Sequence, residues 1–191
     1  MATRPYQGQQ TTAGASQPVF GTTLTAASKF AVDRFLGTNR PGTTTPPVAL
    51  TVTSSAGLQV GDRILVGPKG NFTKANAALL DQGTVAAITS PTAITVQGLT
   101  QNHASGEYLV LNEVASKVDV LMVNMAPTSA VYLGTESSVS PTDTSVFAGG
   151  SQQYWQNAST TTGTGQSYQT SEYWLYDSAA GDTFIGRFDQ L

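Results

Sequence analysis

From Val48 onward, apolar and polar residues alternate. Val48, Leu50 and Val52 are separated by Ala49, Thr51 and Thr53, the two-residue period of a strand with one buried face. A turn at Ser54-Ser-Ala-Gly57 leads into Leu58–Gly67, where Gly61-Asp62 redirects the chain and Ile64, Leu65 and Val66 are expected to enter a core. Pro68 to Gln82 is a longer excursion, with a short helical turn predicted at Asn76–Leu80. Gly83–Thr89 and Thr92–Gln97 are predicted strands joined by a tight turn at Ser90-Pro91, a hairpin pattern. Glu107–Leu111 closes the set. Five short strands divided by turn residues predict a small β-barrel over residues 48–113.

The pattern continues in residues 114–191. Val118–Val123 and Ala130–Gly134 bracket a hairpin-like connection at Asn124–Thr128, and two further strands are expected around Ser145–Phe147 and Gln152–Trp155. After a Thr/Gly-rich loop at Thr160–Gly165, Glu172–Tyr176 and Thr183–Phe188 finish the chain, linked by Ser178–Asp182. About six strands with turn signals at this spacing predict an antiparallel β-sandwich. Strands and helices do not alternate, so a parallel sheet is not expected.

The first 47 residues read differently. Gln7, Gln9, Gln10, Thr11, Thr12, Gly14 and Ser16 offer too little apolar surface to offset the entropy of ordering residues 1–23 alone. That stretch reads as an extended arm, with Tyr6, Val19 and Phe20 as spaced anchors for another chain; the alternative is a frayed terminus. Leu24–Leu36 is a predicted short helix, rich in Ala26, Ala27, Lys29, Ala31 and Arg34, with Phe30, Val32, Phe35 and Leu36 as its apolar face and Gly37 as its stop. Thr38–Pro47 is a Pro/Gly linker. The fold class expected is therefore all-β: arm, short helix and linker over 1–47, barrel over 48–113, sandwich over 114–191.

Composition narrows the chemistry. Only 11% of the 191 residues are charged, there is no Cys, and there is one His. Thr144 to Ser171 carries no charge at all. Residues 1–117 hold eight Lys/Arg against five Asp/Glu, whereas 118–191 hold only Arg187 against seven acids. Such asymmetry is expected if the front half touches an acidic scaffold, and equally if two solvated surfaces drifted independently. The overall formal charge of -3 argues against a partner made of nucleic-acid phosphates. No apolar run approaches the roughly 18 residues that span a bilayer, and Met1-Ala-Thr-Arg-Pro-Tyr6 lacks the apolar stretch of a signal peptide. A soluble protein with no membrane partner is expected.

Catalytic candidates are few. A Ser-His-acid triad would have to use His103, in the turn sequence Gln101-Asn-His-Ala-Ser-Gly106, and no Gly-x-Ser-x-Gly elbow is present. A polar loop histidine is the better reading. One His and no Cys cannot supply the usual zinc ligands. Glu107, Glu113, Glu136 and Glu172 are scattered, with no pair marked out for glycoside hydrolysis. Asp177, Asp182 and Asp189 lack the EF-hand spacing for calcium, and no phosphate-cradling Gly loop occurs. The expectation is no enzyme, no cofactor and no metal. One surface hypothesis remains, the aromatics Tyr154, Trp155, Tyr173, Trp174 and Tyr176. Strand alternation puts Tyr173 with Leu175 on one face and Trp174 with Tyr176 on the other. One face should fill a core; the other could meet a sugar or a neighbouring subunit.

Three features carry a resemblance. Ser55-Ala-Gly-Leu-Gln-Val-Gly-Asp-Arg-Ile-Leu-Val66, Gly83-Thr-Val-Ala-Ala-Ile-Thr-Ser-Pro-Thr-Ala-Ile-Thr-Val96 and Ala104-Ser-Gly-Glu-Tyr-Leu-Val110 are similar to small β-barrel modules of phage head and tail components. Val131-Tyr-Leu-Gly134, Phe147-Ala-Gly-Gly150 and Trp174-Leu-Tyr-Asp-Ser-Ala-Ala-Gly-Asp-Thr-Phe184 look like sandwich modules of phage accessory capsid proteins. A Thr/Gln/Gly-rich arm ahead of β domains is similar to arms that lace decoration proteins onto shells. The chain thus resembles virion structural proteins of tailed bacteriophages, and capsid decoration (cement) or minor capsid proteins in particular. That resemblance implies a homo-oligomer, most simply a trimer, bound to the major capsid protein on the outer surface of the head. Tyr6, Val19, Phe20, Phe30 and Phe35 would make the contacts, many weak sites acting together. A head–tail connector, tail or fibre-base component is the alternative within the virion. A carbohydrate- or receptor-binding module using Tyr154, Trp155, Trp174 and Tyr176 on a host glycan is the alternative outside that role.

Overall fold

The structure, a computed structural model, describes residues 2–10, 14–28, 47–115, 118–124, 131–134, 136–140, 145–147, 152–155, 168–169, 173–177 and 183–190. The chain runs through β1 (Ala2–Gln10), β2 (Ala15–Pro18), β3 (Gly21–Thr23), β4 (Val48–Thr51) and β5 (Arg63–Gly67). Then come β6 (Asp81–Ser90), β7 (Ala93–Gln97), β8 (Tyr108–Leu111), β9 (Val114–Ala115) and β10 (Val118–Asn124). β11 (Val131–Gly134), β12 (Ser145–Phe147), β13 (Gln152–Trp155), β14 (Tyr168–Gln169), β15 (Trp174–Asp177) and β16 (Thr183–Gln190) complete the series. Every described pairing is antiparallel. The chain is all-β, as expected, with short 3₁₀ turns at Lys69–Asn71 and Ala77–Leu79.

Six strands in the order β3-β8-β5-β6-β7-β4 form one curled sheet. Its end strands meet: Leu24 bridges Val52, Thr25 N–H donates to Thr51 O and Thr53 N–H donates to Thr23 O, both at 2.9 Å. The seam closes a barrel, which removes two sheet edges. Bulges in β6 between Val85 and Ala87 and between Ile88 and Ser90 supply curvature. At Gly83 a Cβ would lie 2.5 Å from the Val96 side chain, so only glycine lets these two strands approach. The predicted Gly61-Asp62 turn is present, with Gly61 N–H donating to Val85 O (2.8 Å) and Asp62 Oδ2 accepting from Gln59 N–H (2.7 Å). The β6–β7 hairpin turns at Pro91-Thr92, one residue later than the predicted Ser90-Pro91 turn.

Two further sheets have the orders β1-β16-β10-β13 and β12-β11-β15-β2, and β9 pairs with β14. The order of strands corrects the expected segmentation. β1 belongs to one four-stranded sheet, β2 to the other, and β3 to the barrel. The barrel is thus inserted between β2 and β10 of a two-sheet module whose strands come from both ends of the chain. Residues 2–10 and 15–23 are not a free arm: β1 pairs along β16 from Ala2–Gln190 to Gln10–Thr183, with a register shift between Tyr6 and Gln9. β2 pairs with β15 and β3 with β8. Backbone pairing satisfies N–H and C=O groups whatever the side chains are, so a Gln/Thr-rich segment can be a strand.

The predicted helix is also corrected at its start. Leu24 N–H donates to Glu107 O (2.8 Å), and Ser28 exchanges both backbone bonds with His103 at 2.9 Å. These non-local pairings keep residues 24–28 out of a helix, with bends at Thr25 and Ala26, although Ala26 and Ala27 have high helix propensity. The remainder of that segment, Phe30 and Phe35 included, and the linker up to Pro46 lie outside the described residues.

The core follows from the burial of each strand. In β4 and β7, Leu50, Ile94 and Val96 face inward while their neighbours are exposed or half-buried. In β5 and β8, by contrast, Ile64, Leu65 and Val66 and then Leu109, Val110 and Leu111 are buried in unbroken runs. Ile64, Val66, Leu109 and Leu111 join Leu50, Val52, Val85, Ile94, Val96 and Leu99 in the barrel interior. Leu65 and Val110, on the opposite face, join Phe72, Leu80, Val139 and Trp174. One wall of the barrel is therefore covered by β15, by Val139 and by the excursion that carries Phe72 and Leu80.

Candidate functional site

Two places gather the residue types that sequence analysis singled out: a polar cluster around the single histidine and an aromatic cluster around β15. His103 lies in the connection from β7 to β8, and its backbone bridge to Ser28 fixes where its ring points. The ring is buried, with Nδ1 2.8 Å from Glu107 Oε2 and Nε2 3.3 Å from Asp81 Oδ2. Asp81, at the start of β6, is itself well supplied with donors. The N–H groups of Thr100 (2.7 Å) and Gln101 (2.9 Å) donate to Oδ2, while the Thr100 hydroxyl (3.0 Å) and Gln82 N–H (3.1 Å) donate to Oδ1. A buried carboxylate is tolerable when donors converge on it in this way.

The arrangement ties three segments together rather than aiming a group outward. It joins the start of β6, the connection at 99–107 and the strand-like segment 24–28. The bridge also sets Ser28 across from His103, so a serine, an imidazole and two acids do come together. They do not form a nucleophilic relay. Both ring nitrogens face carboxylate oxygens, leaving neither to take the proton of a serine hydroxyl, and Ser28 Oγ, although buried, has no hydrogen-bond partner among the described residues. The carboxylates stand against opposite nitrogens of the ring and so do not converge on one point. No group of three His, Cys, Asp or Glu suited to a metal ion occurs among the described residues, and none of their helices is long and apolar enough to cross a membrane. The expectation of a polar loop histidine is corrected: His103 is a buried tie.

Sequence reasoning missed Asp81, Glu107 and Ser28 as its partners. Glu107, four residues after His103, was the one local signal. Asp81 and Ser28 are far away in the chain and are brought near by strand pairing alone.

The aromatic cluster is an internal seam. Trp174 is 0% exposed, with its ring 5.2 Å from Phe72 and 5.6 Å from Tyr108. Burial there pushes the Tyr108 phenol above its ordinary value. Tyr173, on the other face of β15, meets Phe20 edge-on at 6.0 Å, and half-buried Tyr176 packs on Tyr132 at 6.3 Å. The alternation expected for this strand is present, but both of its faces meet the chain's own packing. Two assignments change accordingly. Val19 and Phe20 are not anchors for another chain but members of the core cluster that includes the barrel interior. Trp174 is unavailable to a ligand because Phe72 and Tyr108 already pack on it. Tyr6 stands opposite Gly186 in β16, and Tyr154 and Trp155 stand opposite Leu121 and Val120 in β10. The chain matches no family model, no curated protein and no solved structure.

Proposed function

We propose that this chain is a non-enzymatic structural protein of a tailed-bacteriophage particle, working as a homo-oligomeric decoration or minor capsid protein on the outside of the head. The observation that carries the non-enzymatic part is the fate of the only imidazole. His103 is consumed between Asp81 and Glu107 as an internal tie, so the one side chain that ordinarily changes charge near neutral pH is not presented to a substrate. The resemblance of the barrel and sandwich motifs supports the virion part of the reading.

The barrel surface opposite the covered wall suits such a role. β4 and β7 carry no charged residue, and β6 carries none beyond Asp81. Their outward positions are Ala49, Thr51, Gln82, Thr84, Thr89, Gln97 and Ile88, which is 38% exposed. An uncharged, small-residue face can bed against a protein shell without desolvating an ion. The carbohydrate alternative is weakened by the burial of Trp174, half of its tryptophan platform.

Quantitative mass spectrometry of purified particles tests the proposal. A decoration protein is present at a copy number comparable with the major shell subunit, and a tail or connector part at a small fixed number. Absence of the chain from particles overturns the reading. Removal of residues 1–23 is unsuitable as a test of attachment, because it would delete β1, β2 and β3.

A further inference from the structure

In the sheet of order β1-β16-β10-β13, one strand holds two others. β16 pairs with β1 on one side and with β10 on the other. The shared rows run along the strand: Gln190 stands opposite Ala2 and Val118, Phe188 opposite Arg4 and Val120, and Gly186 opposite Tyr6 and Met122. Among the described residues β1 has no other neighbour in the sheet. β13 pairs with Val120–Val123 of β10, so Val118, Asp119 and Asn124 have only β16 opposite them among the described residues. Moving β16 away therefore unpairs both of its neighbours at once.

Three features of the backbone weaken this ladder. Pro5, opposite Arg187, has no N–H to donate. The register shifts between Tyr6 and Gln9. Gly186, inside the central strand, gives up more conformational freedom on pairing than any other residue type would. The same two lengths of chain pair again in the other sheet, from Ala15–Asp177 to Pro18–Trp174, and Val19 N–H then donates to Tyr173 O at 2.9 Å. There burial anchors them. Trp174 and Leu175 are 0% exposed, Trp174 against Phe72 and Tyr108 and Leu175 within the cluster that includes the barrel interior. The barrel, for its part, is closed at its seam.

We propose that β16 is a releasable strap: when it lifts, the β1-β16-β10-β13 sheet opens as one unit, while the barrel and the β2–β15 pair stay closed. Such an opening is sub-global, with a free energy below that of complete unfolding. It uncovers one edge of β10 and one of β1, whose backbone N–H and C=O groups the closed sheet pairs. The inference rests on strand order and burial and does not depend on the proposed function.

Hydrogen exchange of the full chain, read by mass spectrometry at a series of denaturant concentrations below the unfolding transition, tests this. Peptides covering 2–10, 118–124 and 183–190 should exchange through one common opening, about tenfold or more faster than those covering 63–67 and 108–111. Peptides covering 15–18 and 174–177 should follow the barrel. Exchange of all of these together, through global unfolding only, overturns the proposal, as does exchange of β1 or β10 that is independent of β16. A disulfide gives a second readout. The chain has no cysteine of its own, and Val118→Cys/Gln190→Cys puts a pair at directly opposed positions of β10 and β16. Oxidising that pair should slow exchange in β1, which carries neither substitution, by about tenfold or more and leave the barrel peptides unchanged. Unaltered exchange in β1 after oxidation overturns the strap. If the pair does not oxidise, the exchange pattern of the unsubstituted chain decides the matter alone.

Discussion

The two walls of the barrel are built from the same antiparallel ladder, yet they bury different numbers of faces. β4 and β7 alternate, with Leu50, Ile94 and Val96 inside and Ala49, Thr51 and Gln97 outside. β5 and β8 bury every residue from Ile64 to Val66 and from Leu109 to Leu111, because Trp174, Phe72 and Val139 lie against Leu65 and Val110. An unbroken apolar run in an antiparallel strand marks a second packing layer, just as it does in parallel sheets covered on both sides. Ile64-Leu-Val66 and Leu109-Val-Leu111 were therefore a statement about the neighbour as well as about the barrel interior.

Several experiments break or sharpen this contrast. The largest effect is expected from deleting residues 1–23. Loss of β3 exposes the edge of β8 and opens the barrel seam, while loss of β1 and β2 strips β16 and β15, so cooperative unfolding should vanish in calorimetry. A truncated chain that still melts cooperatively would mean these strands add little. Next is Trp174→Ala, which empties the space between Phe72 and Tyr108 and should destabilise by about 3–5 kcal/mol in denaturant titrations.

Leu65→Ala on the covered wall should cost about 2–5 kcal/mol, against Thr51→Ala on the open wall at about 0.5 kcal/mol or less. Equal costs for those two would abolish the distinction between the walls. His103→Leu tests the tie at the end of the barrel. It leaves Asp81 and Glu107 without their shared partner, and about 1–3 kcal/mol should be lost. Glu107→Gln, which keeps a hydrogen-bond acceptor beside Nδ1, should lose less than His103→Leu in the same titration.

Much of the barrel was legible because its signals are local. The alternation at Val48–Thr53, the Gly61-Asp62 turn and the Ser90-Pro91 boundary depend on neighbours within a few residues, and each has its counterpart in the structure. The first 28 residues misled for a physical reason. β1 to β3 are held by backbone bonds to β16, β15 and β8, and backbone bonds leave no side-chain period to read. Leu24 to Ser28 had helix-compatible residues whose preference is worth only tenths of a kcal/mol each, less than the pairings to Glu107, Thr51 and His103 that replace it.

The amino-acid sequence by itself determined the all-β class, the strand periods and turns of the barrel, and the scarcity of groups that do chemistry, since all of these follow from residue type and near-neighbour spacing. Only the tertiary structure decided that the amino-terminal strands complete both the barrel and the two-sheet module, that Trp174 and Phe20 face inward, and that His103 meets Asp81 and Glu107. Each of those depends on contacts between residues far apart in the chain. Such contacts are selected by which arrangement buries the most apolar surface with its polar groups satisfied, and no local window of residues records that choice.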